Sequence, residues 1–126
     1  MIKKITISEI DKKSLLSHET PKDPGLQNMD FSGVVVNKPW GYEYLMYHTA
    51  EVSIWMLYIK KGYLTSMHCH PNKKTSLFVL LGEAMSSTLN GKFNLKEKDG
   101  LILDKGVFHQ TEAVSENGVF VMETET

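Results

Sequence analysis

Two histidines one residue apart, His68 and His70, stand in a stretch that reads as a β-strand, and a third, His109, follows the Gly106-Val107-Phe108 turn much later in the chain. Successive side chains on a strand point to opposite faces, so His68 and His70 share one face while Met67 and Cys69 take the other. Two imidazoles projecting together from one strand, met by a third from a neighbouring strand, converge on a point where a transition-metal ion sits ~2 Å from each nitrogen. The fold expected is therefore one that lays the 109 region beside the 68–70 strand.

With 126 residues the chain is long enough for one domain with a real core and too short for two. Its 14 basic and 15 acidic residues nearly cancel, which argues against a general nucleic-acid or membrane-surface binder. No apolar run reaches the roughly 20 residues that span a bilayer, and Met1-Ile2-Lys3-Lys4 leads into polar sequence rather than a signal peptide. The location expected is the cytoplasm. A single cysteine, Cys69, cannot staple the chain internally and reads as a buried structural thiol facing away from the histidines.

Residues 1–30 read as a polar N-terminal arm, with one short helix over 8–17 and the breaker-rich run Thr20-Pro21-Lys22-Asp23-Pro24-Gly25; residues 31–126 read as a β-rich body. Residues 52–60 form the strongest strand pattern, and 76–81 are a nearly continuous apolar run closed by Gly82. Asn90-Gly91, between 85–89 and 92–95, is a type I′ hairpin signal; Asn117-Gly118, between 110–114 and 119–123, is a second, with a slightly longer loop. A mostly antiparallel body follows. His18, in the arm, and His48, beside a turn, read as solvated.

Gly62, His68, His70, Thr75 and Gly82, at their spacing, resemble the first motif of the cupin superfamily, with Thr75 where that motif usually carries glutamate. Gly106 and His109 match the centre of the second motif; its usual proline is Asp104 here, its leading glycine Lys98 and its closing asparagine Ala113. Lys38-Pro39-Trp40-Gly41-Tyr42-Glu43 resembles the Pro-Trp-Gly signature that opens the cupin domain of type II mannose-6-phosphate isomerases and related sugar enzymes. Packing at the barrel end and substrate contact are equal readings of Trp40 and Tyr42.

The resemblance implies an all-β fold, a double-stranded β-helix or cupin jelly-roll barrel, with His68, His70 and His109 as metal ligands in its mouth. Donors of this kind suit a divalent transition metal: zinc, iron, nickel, manganese or copper. Three neutral histidines without a carboxylate would leave the site near +2 and favour an anionic ligand, with Thr75 and Ser66 bonding substrate hydroxyls and Lys73 and Lys74 capturing phosphate or carboxylate. The function expected is metal-dependent action on a sugar or sugar phosphate, isomerase-like, with Glu43 as the leading proton-transfer carboxylate. Two alternatives stand beside it: a non-catalytic carbohydrate or small-anion binder, and a three-histidine iron dioxygenase. The partners expected are a small-molecule substrate and a second copy of the chain, with no nucleic acid and no membrane. The edge carrying Val34, Val35 and Val36 calls for cover, which a homodimer provides, with the N-terminal arm as the segment that can cross to the partner.

Overall fold

The computed structural model describes residues 1–17 and 33–126; His18 and the breaker-rich run from Thr20 to Gly25 lie outside them. Among the described residues, alternation of inward apolar and outward polar side chains organises the strands into two facing sheets. The larger runs β1 (Ile2–Ile5), β8 (Gly100–Leu103), β5 (Thr75–Leu81), β10 (Val119–Glu125), β4 (Ser53–Ile59), β3 (Gly41–His48) and β2 (Val35–Lys38). The smaller runs β7 (Gly91–Leu95), β6 (Ala84–Thr88) and β9 (His109–Ala113). Residues 61–68 extend the smaller sheet past β9 through isolated bridges, the last of which pairs His68 with His109. Strand pairing is antiparallel except between β1 and β8, as the sequence led one to expect of the body.

The space between the sheets is filled by Leu57 and Ile59 on β4, Leu77 and Val79 on β5, Leu101 and Leu103 on β8, and Val119 and Val121 on β10, all buried. Each such side chain contributes about 1.5–3 kcal/mol when fully withdrawn from water. Toward one end the same inward positions change chemistry: Thr75 on β5, His109 and Thr111 on β9, and Glu123 and Glu125 on β10 are buried polar groups. A barrel with one apolar and one polar end is the platform for the site.

The hairpin expected around residues 85–95 is present as β6 and β7, but its turn differs. Thr88 pairs with Gly91, so Leu89 and Asn90 form the turn, and none of these residues has positive φ. A type I′ turn requires positive φ at both central positions, so the Asn-Gly signal marked the hairpin and misplaced its centre. The second expected hairpin does not form. Gly118, at φ 80°, closes a turn on Ser115, but β9 then pairs with β6 while β10 enters the larger sheet between β4 and β5. The turn carries the chain from one sheet to the other.

At the N-terminus, β1 lies along β8, and the helix α1 (Glu9–Ser17) matches the span read from sequence. Its start is a reciprocal cap: Asp11 N donates to Ser8 Oγ at 3.1 Å, and Ser8 N donates to Asp11 Oδ2 at 2.9 Å. No described helix is long and apolar enough to cross a membrane.

Candidate metal centre

His68, His70 and His109 come together, joined by Glu123; one donor atom from each lies within 4.8 Å of the other three. His68 and His109 face each other because their backbones form a mutual bridge, His109 N donating to His68 O at 2.8 Å and His68 N to His109 O at 3.1 Å. Ring centroids are 4.5 Å apart for His68 and His109, 5.0 Å for His68 and His70 and 5.5 Å for His70 and His109.

Two of the rings are oriented by the same device. His68 Nδ1 lies 2.8 Å from the Ser66 carbonyl, and His109 Nδ1 lies 3.0 Å from the Val107 carbonyl. A carbonyl oxygen only accepts, so each Nδ1 carries the proton and each neutral ring keeps its Nε2 lone pair for the barrel interior. His109 Nε2 is buried and has no hydrogen-bond partner among the described residues. It faces Glu123 Oε1 at 3.8 Å, while His70 Nε2 lies 3.7 Å from the same oxygen. Those distances exceed the ~3.2 Å of a real hydrogen bond. Nitrogen lone pairs and a carboxylate directed at one buried point, too far apart to bond directly, form the donor set of a cation site.

Electrostatics agree. Burial pushes the Glu123 carboxyl up, and positive charge at His109 and His70 outweighs it and holds the carboxyl below the usual carboxylate range; with those rings neutral, a bound cation would supply that charge instead. Burial, reinforced by His109, lowers the His68 pKa, which favours the neutral ring a metal requires.

Glu123 is the candidate ligand the sequence reading missed, and with it the candidate donor set is no longer all-histidine. Thr75 is buried and its Oγ1 has no hydrogen-bond partner among the described residues. On the neighbouring strand its cross-strand partner is Glu125, with Glu123 two residues earlier on the same inward face. The carboxylate absent from position 75 is thus supplied by β10. A divalent ion with three neutral imidazoles and one carboxylate leaves a site near +1, not +2.

The other site residues read from sequence separate. Ser66 is exposed and contributes its carbonyl to His68. Lys73 reaches inward, donating to Glu125 Oε2 at 3.0 Å, whereas Lys74 is exposed with Asp104 at 3.9 Å. Glu43 is largely buried on β3 with Lys38 at 3.5 Å. Burial pushes its carboxyl up, Lys38 pulls it partly back, and Glu123 and Glu125 push it up again, which places Glu43 within electrostatic reach of the cluster. Glu125, also unforeseen, sits with Oε1 at 3.5 Å from His70 Nε2; burial and Glu123 raise its pKa against the pull of His70 and Lys73. Cys69 is 1% exposed, and its charged neighbour is Asp11 rather than the candidate ligands. Trp40 packs against the core and Tyr42 stacks on Tyr44 and Tyr58, so both have packing roles.

No protein-family profile matches the chain, and no curated protein matches it in sequence. Solved structures do match in fold. KdgF from Halomonas sp. aligns with a TM-score of 0.66 at 17% identity, over 70% of this chain and 81% of that one. The capsular polysaccharide assembling protein CapF from Staphylococcus aureus aligns at 0.67 and 13% identity, over 73% of this chain and 29% of that one. Oxalate decarboxylase from Lactobacillus farciminis, as its formate complex, aligns at 0.65 and 16% identity, over 72% and 30%. These likenesses, with a cupin domain from Schizosaccharomyces pombe Cnp3 among them, establish a double-stranded β-helix of the cupin type.

Proposed function

We propose that this chain is a metal-dependent cupin-fold protein acting on a sugar or sugar phosphate by isomerase-like proton transfer. The observation that carries the metal reading is the convergence of His68, His70, His109 and Glu123, with the orphaned Nε2 of His109 among them. An ion held by these four supplies Lewis-acid polarisation of a carbonyl or hydroxyl oxygen. The surroundings supply the rest. The Thr75 hydroxyl, buried and without a hydrogen-bond partner among the described residues, is a hydrogen-bonding group for a substrate hydroxyl. Lys73, near the site, and Lys74, in the neighbouring loop, offer positive charge to a phosphate or carboxylate. Glu43 takes the proton from the carbon beside the carbonyl and returns it to the former carbonyl carbon, while the proton of the neighbouring hydroxyl passes to the carbonyl oxygen, so the carbonyl moves one carbon and the substrate's formula is unchanged. A sugar substrate is supported by the structural likeness to a capsular polysaccharide assembling protein.

The test is solvent exchange. Metal-loaded protein incubated with a panel of aldose and ketose phosphates in D2O should place deuterium on the substrate carbon, and Glu43→Gln should slow this by roughly 100-fold or more. Unchanged exchange in Glu43→Gln removes Glu43 from the role. Saturable sugar binding without any exchange favours the non-catalytic reading, which is supported by the lysine placed beside each carboxylate outside the cluster: Lys38 by Glu43 and Lys73 by Glu125. The iron dioxygenase reading rested on an all-histidine shell and loses that basis with Glu123 in the group.

We also propose a homodimer. β2 is the edge of the larger sheet, and Val34 and Val35 near it are 46% and 56% exposed, an edge that calls for cover. Light scattering should give twice the chain mass at tens of micromolar; a monomer there counts against it.

A further inference from the structure

We propose that Asp11, on the first turn of α1, is a positioning residue for the metal centre: it fixes the backbone at Phe108 and through it the ring of His109. The inference rests on the metal reading above. Three of the four candidate ligands belong to one short ladder, in which His68 and His109 exchange backbone bonds and Gly106 N donates to His70 O at 3.0 Å. One face of that ladder looks into the barrel. The other is backed by α1.

Asp11 is 2% exposed, an unusual place for a carboxylate whose local task is to complete a helix cap. Its Oδ2 accepts from Ser8 N and from Ser8 Oγ at 2.8 Å, which satisfies the cap. Its Oδ1 accepts from Phe108 N at 3.1 Å, a buried bond spanning 97 positions of sequence. Phe108 lies between Val107, whose carbonyl orients His109 Nδ1, and His109 itself. Beside this bond, Ile7 and Leu15 fill the space behind Gly106, their Cδ1 atoms each 2.9 Å from where a Cβ at that glycine would fall. Apolar contact and a charge-assisted bond thus hold the loop from outside, and the ring hung on it cannot tilt independently.

Cobalt(II) is the probe, because its visible d–d absorption reports ligand geometry as well as occupancy. Wild type, Asp11→Ala, Asp11→Asn and Leu95→Ala are compared after circular dichroism shows each folded. Leu95 is a core residue on β7, at the far edge of the smaller sheet, and controls for plain loss of stability. Asp11→Ala should weaken cobalt binding about 10–100-fold and shift the d–d spectrum. Asp11→Asn, which keeps an acceptor for Phe108 N, should restore the wild-type spectrum, and Leu95→Ala should leave it alone. Should Asp11→Ala not fold, Asp11→Ser, polar but too short to reach Phe108, takes its place with the same expected result. A wild-type spectrum and affinity in the Ala or Ser variant, or an equal change in Leu95→Ala, overturns the proposal. If wild type binds no cobalt, the metal reading fails separately, and the clasp is judged by amide exchange. Exchange at Phe108 and His109 should then be at least ~10-fold faster in the Ala or Ser variant, and unchanged exchange overturns it.

Discussion

Replacing His70 with alanine is expected to abolish both stoichiometric metal binding and the thermal stabilisation that metal confers. His70 is 7% exposed, and its backbone carbonyl is held by Gly106 N, so the segment should keep its path without the ring. What remains is two imidazoles and one carboxylate, a shell that has lost a direct donor. The affinity loss should exceed the ~10–100-fold typical of removing a group that only supports a ligand. For wild type, metal at 1,000 times its dissociation constant stabilises the fold by about 4 kcal/mol, worth roughly 15 °C in melting temperature for a domain this size. Thermal scans with and without zinc should show that gain in wild type and not in His70→Ala. An equal gain in both removes His70 from the site. The gain in wild type should also fade as pH drops below the ordinary imidazole range near ~6.5, where protons compete with metal for the ring nitrogens.

Gly41→Ala should be the most damaging substitution that touches no candidate ligand. Gly41 opens β3 opposite Ile59, at φ 154°, and a Cβ there would lie 1.9 Å from the Tyr58 carbonyl oxygen and 3.4 Å from Ile59 Cα. The obstacle is the backbone of the neighbouring strand β4, so it yields only if β3 and β4 separate. The Lys60 N bond to Trp40 O, 2.8 Å long, ties the same corner. Backbone strain and overpacking each cost about 1–3 kcal/mol, so a loss of ~3 kcal/mol or more is expected from urea unfolding. A loss under ~1 kcal/mol would show that the sheet corner adjusts. The Pro-Trp-Gly segment therefore has a physical reason independent of substrate: its glycine is needed for strand approach and its tryptophan packs against the core.

What was legible in the sequence follows from the range of the signal. His68 and His70 do come together, as the one-residue spacing led one to expect, but the segment is not a strand: it is extended backbone held by an isolated bridge at His68. Their meeting with His109 was legible through the register of two motifs. Glu123 was not, because nothing local distinguishes a carboxylate near the end of a chain from a solvated one. A signal was nevertheless present: Val119, Val121, Glu123 and Glu125 alternate with outward residues, so the two glutamates occupy positions where the strand's own pattern calls for apolar side chains. Two carboxylates continuing an inward row are a site indication in any barrel strand. Asn117-Gly118 failed for the complementary reason. A turn forms there, but it closes from Ser115 to Gly118 without positive φ at Asn117 and so is not type I′, and whether the strands on either side pair with each other is decided by which sheet each completes. The Asp11 bond to Phe108 was not legible, since the two residues are 97 positions apart in sequence.

The central claim is that His68, His70, His109 and Glu123 hold one metal ion. Anomalous diffraction from crystals grown with cobalt or zinc tests it most directly. A single strong peak is expected inside the barrel, about 2.0–2.2 Å from an imidazole nitrogen of each of the three histidines and from a Glu123 oxygen. A peak elsewhere, or four donors refined in place at saturating metal with no peak among them, would contradict it.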